Sequence, residues 1–245
     1  MSRPLALLYG AISYSLFLAT FLYAIAFVAG FGVPKHIDNG PDAPFLMALA
    51  INLGLLSLFA VQHSGMARPA FKRWWTGLVP VPIERSTYVL ASSLVLVLLY
   101  WQWRPLPQLV WSIDYEVARW ALYGLSALGW LLVLVSTFLI SHFDLFGLRQ
   151  VWSYARQRQS VDGPFITRAF YRMVRHPLML GFLIAFWATP TMSAGHLLFA
   201  LVTTGYIIVA VKFLEERDLV AQHGDTYREY QRQVPMLVPW PKRRA

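Results

Sequence analysis

Arg175-His176-Pro177 and Glu215-Glu216 bracket a long apolar stretch near the end of the chain. Charged residues beside a membrane are costly and tend to be kept for a purpose. A guanidinium, an imidazole and two carboxylates meeting at one surface make a polar pocket with charges of both signs, open to water and walled by lipid-facing helices. Three more clusters carry reactive side chains: Gln62-His63-Ser64, then Ser141-His142-Phe143-Asp144 with Arg149 and Gln150 beyond it, then Tyr227, Tyr230 and Pro235 in the tail.

The elements that must position these residues are apolar helices. Pro177 can open a helix at its first turn, where its missing N–H is no loss. The apolar run 178–189 meets Pro190, 191–195 reads as a turn, and 196–214 returns to Glu215. Packed as a hairpin, the two helices bring Arg175, His176 and the glutamates to the same membrane surface. Residues 218–233 read as a short surface helix.

Apolar residues make up 57% of the 245-residue chain and charged residues only 13%, against roughly 25% charged in an average soluble domain. Segments 5–31, 44–60, 86–103 and 120–140 are each close to the ~20 residues that span a bilayer. With the hairpin, an all-α integral membrane protein of five or six transmembrane segments is expected, the hairpin's first helix being the short one. The chain then reads as one membrane domain. Four segments fill 1–140, a connector runs 141–176, the hairpin covers 177–214, and a tail covers 215–245. The connector and tail form a cytoplasmic cap over the pocket.

Basic residues set the orientation. Arg68, Lys72, Arg73 and Arg85 fall in one set of connections with Arg149, Arg156, Arg158, Arg168, Arg172, Arg175 and the tail. Only Lys35, Arg104 and Arg119 fall in the other. The positive-inside bias puts the first set and both termini in the cytoplasm, which suits a bacterial inner membrane. The first apolar run is too long for the core of a signal peptide and reads as an uncleaved anchor. The net charge of +9 reflects this asymmetry and attraction to anionic lipid. Its spread over three segments, without a recognisable motif, argues against nucleic acid. No protein partner is evident. The absence of cysteine excludes disulfides, thiolate metal sites and cysteine nucleophiles, and no metal site is expected.

The Arg-His-Pro of 175–177, the hairpin after it, Glu215-Glu216, the Tyr-x-x-Tyr of Tyr227 and Tyr230, and Val234-Pro235 resemble the isoprenylcysteine carboxyl methyltransferase superfamily. Within it, the run from His142 to Gln150, together with Gln62-His63-Ser64 ahead of Lys72-Arg73-Trp74, looks most like the bacterial methanethiol S-methyltransferases. The superfamily often has an aromatic residue two positions after the proline, where this chain has Met179.

The resemblance implies S-adenosyl-L-methionine (SAM) as cofactor, bound by the C-terminal region through Tyr171, Arg175, His176, Pro177, Glu215, Glu216, Tyr227 and Tyr230. Glutamate suits its ammonium, Arg175 its carboxylate as a bidentate fork, and the faces of Tyr171 or Tyr227 its sulfonium. Of the glutamates, Glu216 is expected to face the cofactor. It also implies a small-molecule thiol partner entering from membrane lipid. The thiolate is the nucleophile, so His142 is the expected base with Asp144 orienting it, Arg149 the cation that lowers the thiol's pKa, and His63 the reserve base. Gln62, Phe143 and Gln150 are expected against the substrate.

The implied reaction is methylation of methanethiol to dimethyl sulfide. Two alternatives stay open: another acceptor on the same fold, such as an isoprenylcysteine carboxylate, a lipid or another small thiol, and a non-enzymatic membrane protein linked to nitrogen-oxide metabolism. Haem would need two histidines facing each other inside the bilayer. His36, His63, His142, His176, His196 and His223 all sit near segment ends instead.

Overall fold

A backbone crossing lipid must satisfy its own N–H and C=O groups, so apolar runs of this length become helices. The structure, a computed structural model, describes residues 1–158 and 167–239. The middle of the expected connector (159–166) and the end of the tail lie outside the described residues. The chain is an all-α integral membrane protein. Among the described residues, five helices are long and apolar enough to cross a membrane: Arg3–Ala29, Phe45–Ala67, Val81–Gln102, Glu116–Ile140 and Ala194–His223. Leu8, Leu22, Leu46, Val61, Trp101 and Leu128 lie exposed on their surfaces, as lipid-facing side chains must. The apolar helix Pro177–Trp187 has 11 residues, and at ~1.5 Å per residue it covers about half of a bilayer core.

The chain forms two compact units. The described part of the first comprises 1–108, 141–158 and 193–196. It holds α1 (Arg3–Ala29), α2 (Phe45–Ala67), α3 (Pro69–Trp75) and α4 (Val81–Gln102). Two short helices from the connector join them, α6 (His142–Leu145) and α7 (Leu148–Ala155). Helix α7 packs on α1 and α4, where Gly10 lets Val151 approach so closely that a Cβ there would lie 2.6 Å from its methyl. Gly147, at φ +86°, turns the chain between α6 and α7 directly against Ser86. Arg85 Nε donates to the Leu145 carbonyl at 2.8 Å, pinning the same turn to α4.

The described part of the second unit comprises 109–140, 167–192 and 197–239. Strand β1 (Leu109–Ser112) precedes α5 (Glu116–Ile140), and α8 (Pro177–Trp187) packs along α5. Gly129 and Gly181 face each other there, each with the other's carbonyl within 2.8 Å of where a Cβ would stand. After α8, Thr191–Ser193 forms a short strand, β2, paired with β1. The expected turn over 191–195 is therefore extended backbone followed at once by α9 (Ala194–Ala210), and Thr191 brings a β-branched side chain that suits a strand. The hairpin of α8 and α9 is held by Trp187 Nε1 donating to Thr204 Oγ1 at 2.9 Å and by the Phe186–Phe199 ring pair. Beyond α9 come a π-helical turn, Val211–Glu215, then α10 (Glu216–His223) and α11 (Asp225–Gln233). The single tail helix expected over 218–233 is broken by Gly224, at φ +56° and ψ −130°, a conformation that a residue with a side chain adopts only under strain.

Candidate functional site

Pro177 is the first residue of α8, and its ring fixes where Arg175 and His176 stand, just outside the helix. The tail then returns beside them: the N–H of Arg175 donates to the Pro235 carbonyl at 2.9 Å and that of His176 to the Met236 carbonyl at 3.1 Å. Arg175 is 9% exposed, His176 4% and Glu216 7%. Charges so deeply placed must be matched by neighbours.

Arg175 closes its fork on Glu216, Nε to Oε1 at 2.6 Å and Nη2 to Oε2 at 2.9 Å, while Nη1 donates to the carbonyls of Gln231 and Val234. His176 Nε2 lies 2.9 Å from Glu216 Oε1, and its Nδ1 is 3.5 Å from Glu215 Oε2. The phenol of Tyr227 donates to Glu216 Oε1 at 3.2 Å and Gln231 Nε2 to Oε2 at 2.6 Å. Tyr230 donates to the Tyr171 carbonyl at 2.5 Å. All eight residues read from the sequence as cofactor-binding thus lie in the second unit, and seven join in one cluster behind Pro177.

The cluster's electrostatics follow from these contacts. Burial alone would push the His176 imidazole toward its neutral form. Hydrogen bonds and charge from Glu215 and Glu216 outweigh it and raise the pKa to about 9, so His176 is a cation at neutral pH. Burial, reinforced by Glu216, pushes the Tyr227 phenol up, burial and Glu215 do the same to Tyr171, and burial brings Tyr230 up to about 12. The three phenols are therefore uncharged, and Tyr227 and Tyr230 act as donors. Glu215, at 45% side-chain exposure, is the most open of the charged members.

Two placements differ from expectation. The Arg175 fork expected on a ligand carboxylate is occupied by Glu216. Glu216, expected to face the cofactor, is wrapped by four side chains. A cavity of about 500 Å3 nonetheless reaches it, lined by Lys212, Arg217, Asp218, Val220, Ala221, Arg228 and Gln231 as well. Gln231 was not singled out from the sequence. Its signal was there, because Tyr227, Tyr230, Gln231 and Val234 follow the spacing of one helical face.

The residues read as catalytic or substrate-binding all lie in the first unit. His142 is 5% exposed, with Nε2 2.8 Å from the Tyr14 hydroxyl of α1. Burial holds its pKa below the usual histidine value. Asp144 does not orient it. That carboxylate accepts from Gln150 Nε2 at 2.8 Å and Arg149 Nη1 at 3.3 Å. Phe143 is 53% exposed and its ring packs edge-on to His142. His63 meets the Tyr88 hydroxyl at 2.9 Å and Ser92 Oγ at 3.2 Å, and Gln62 Nε2 donates to the same Ser92 at 3.3 Å. The side-chain carbonyls of Gln62 and Gln150 are buried without a hydrogen-bond partner. Tyr14, Tyr88 and Ser92 sit in short polar patches of otherwise apolar helices (Ser13-Tyr14-Ser15, Ser86-Thr87-Tyr88, Ser92-Ser93), and nothing in that local pattern names their distant partners.

A family model described as NnrU protein matches residues 51–234. The chain is 56% identical to a methanethiol S-methyltransferase of Mycobacterium tuberculosis over 99% of both chains. It is also 56% identical to methanethiol S-methyltransferase 2 of Bradyrhizobium diazoefficiens, over 97% of this chain and 91% of the relative. Nurim of Sus scrofa is 32% identical over 77% of this chain and 78% of its own length. No solved structure matches.

Proposed function

Because the chain belongs to the methanethiol S-methyltransferase family and to the NnrU protein family, we propose that it transfers a methyl group from SAM to methanethiol, releasing dimethyl sulfide and S-adenosylhomocysteine. The observation that carries this reading is the 56% identity to the Mycobacterium tuberculosis enzyme over 99% of each chain. We place the protein in a bacterial inner membrane, termini and basic connections in the cytoplasm, where the cofactor is dissolved and the small apolar thiol arrives through lipid.

The residues of the second unit fit the cofactor chemically. Its amino-acid end needs an anion for the ammonium and a cation for the carboxylate. The cavity beside Glu216 offers both, with Asp218 on one hand and Lys212, Arg217 and Arg228 on the other, in a volume of about 500 Å3 that falls within the ~300–1,000 Å3 of small-molecule sites. Bound there, SAM would supply an electrophilic methyl on its sulfonium. Glu215 and Glu216 would hold the ammonium. His176, cationic at neutral pH, would keep both glutamates in place, and Arg175 would anchor Glu216 rather than grip the ligand. Tyr171 and Tyr227, held as neutral phenols, would offer aromatic faces to a cation. Tyr230 and Pro177 would fix the walls.

The thiol must lose its proton to become a nucleophile. His142 is the base in this reading, kept neutral by burial. Arg149, held by Asp144, supplies positive charge for the thiolate, and His63 is the second base. Phe143 gives an apolar contact, and the unpartnered carbonyls of Gln62 and Gln150 are hydrogen-bond acceptors for an S–H.

The reading is tested by following S-adenosylhomocysteine formed by purified, detergent-solubilised protein. Formation that requires methanethiol and is lost in Glu216→Ala supports it. Formation equally fast without methanethiol, or with a prenylated cysteine in its place, contradicts it.

A further inference from the structure

The buried histidine of the first unit is reached through a tyrosine. His142 is 5% exposed, whereas Tyr14 is half-buried, and its hydroxyl stands 2.8 Å from His142 Nε2. A neutral imidazole has one donor and one acceptor nitrogen; in the tautomer that carries its proton on Nδ1, the phenol O–H donates to Nε2 and uses the lone pair a base would need. In that tautomer His142 takes a proton at Nε2 through the Tyr14 hydroxyl.

The surroundings suit an apolar thiol. Tyr14 packs against Phe17, Phe143 and Phe146, its ring centroid 6.0–6.3 Å from each of theirs. Sulfur packs favourably against aromatic edges. Phe143 and Phe146 also flank the His142 ring, with centroids at 5.3 and 4.9 Å. Tyr14 faces it from α1, and Asp144 on its own helix pairs with Arg149 of α7.

We infer that Tyr14 is the catalytic residue that meets the thiol, and that Tyr14 and His142 form a two-member proton relay. This rests on the methanethiol reading. The S–H bond breaks, its proton passes to the phenol oxygen, and the phenol's own proton passes to His142 Nε2. Sulfur keeps the electron pair as thiolate, the phenol is left unchanged, and the imidazolium returns its proton to solvent after methyl transfer.

The test compares wild type, Tyr14→Phe, His142→Gln and the double variant for dimethyl sulfide release between about pH 6 and pH 10, with SAM binding and thermal unfolding measured on each. A positioned proton acceptor contributes ~10²–10⁴-fold, so Tyr14→Phe should turn over about 100-fold more slowly at neutral pH with unchanged SAM affinity. The ratio of wild-type to variant rate should shrink as pH rises toward about 10, where solvent supplies a growing share of thiolate. The double variant should be no slower than either single one, because both interrupt one relay. A Tyr14→Phe rate equal to wild type, a ratio constant with pH, or multiplicative losses in the double variant overturns the relay while leaving the methanethiol reading intact. Folded wild type that makes no dimethyl sulfide removes that reading, and the relay with it. If Tyr14→Phe fails to fold, His142→Gln carries the same pH-dependent ratio alone.

Discussion

The imidazole of His176 bridges two consecutive glutamates, Nδ1 3.5 Å from Glu215 and Nε2 2.9 Å from Glu216. Adjacent residues on an α-helix point ~100° apart and seldom share one small ring. Here a π-helical turn, Val211–Glu215, runs directly into Glu216, and such turns recur at functional sites. The result is a set of two cations and two anions, buried except for the half-open Glu215, in which each depends on the others.

That dependence makes stability sensitive to alkaline pH. The pKa of His176 rises from 6.5 in the unfolded chain to about 9 in the fold, so its imidazolium contributes stability that is complete below pH 6.5 and lost as pH rises through about 9. A shift of this size is worth roughly 3 kcal/mol. Thermal unfolding of solubilised protein should show a wild-type melting temperature that falls across this window. His176→Gln should have a flatter profile that converges on wild type at high pH, and parallel profiles would contradict the charge assignment.

Glu216→Ala leaves the Arg175 guanidinium buried without its fork partner, and breaking a buried pair this way costs about 3–5 kcal/mol. Replacing both, Arg175→Met with Glu216→Leu, should recover most of that loss in denaturant titrations. SAM affinity should be absent from both variants. Recovery of binding in the double variant would take Glu216 out of the cofactor site.

Close approach of α5 and α8 depends on Gly129 and Gly181. A Cβ on Gly181 would stand 2.7 Å from the Gly129 carbonyl oxygen and 2.9 Å from the Val133 nitrogen, and backbone cannot step aside as a side chain can. Gly181→Ala should destabilise by at least the ~1–3 kcal/mol typical of overpacking. Gly205→Ala, where nothing lies within 4 Å, should keep or slightly raise the melting temperature, alanine being the better helix former. Equal effects would mean that the crossing tolerates separation.

Much of this was legible in the chain. Apolar runs marked the spans, and Pro177 with the two apolar lengths after it brought Arg175, His176 and Glu216 to one place. Covalent neighbourhood and helical period carry that far. They did not show that Arg175 would bond Glu216 itself, because which partner a buried charge takes depends on which groups share its burial. Nor did they show that Asp144 would bond Arg149 and Gln150 rather than His142, which follows from the left-handed turn at Gly147. Tyr14 and Tyr88, the partners of His142 and His63, lie 128 and 25 residues away from them. No local pattern announces such pairs. The break at Gly224 carries a signal, a glycine inside a polar helical run, but an isolated glycine is also tolerated within a helix.

Methyl transfer to methanethiol is followed at its product by headspace gas chromatography with mass detection over solubilised protein given methanethiol and methyl-deuterated SAM. Dimethyl sulfide carrying one deuterated methyl is expected, and its absence from Glu216→Ala. Folded wild-type protein that binds SAM yet releases no labelled dimethyl sulfide would contradict the methanethiol reading.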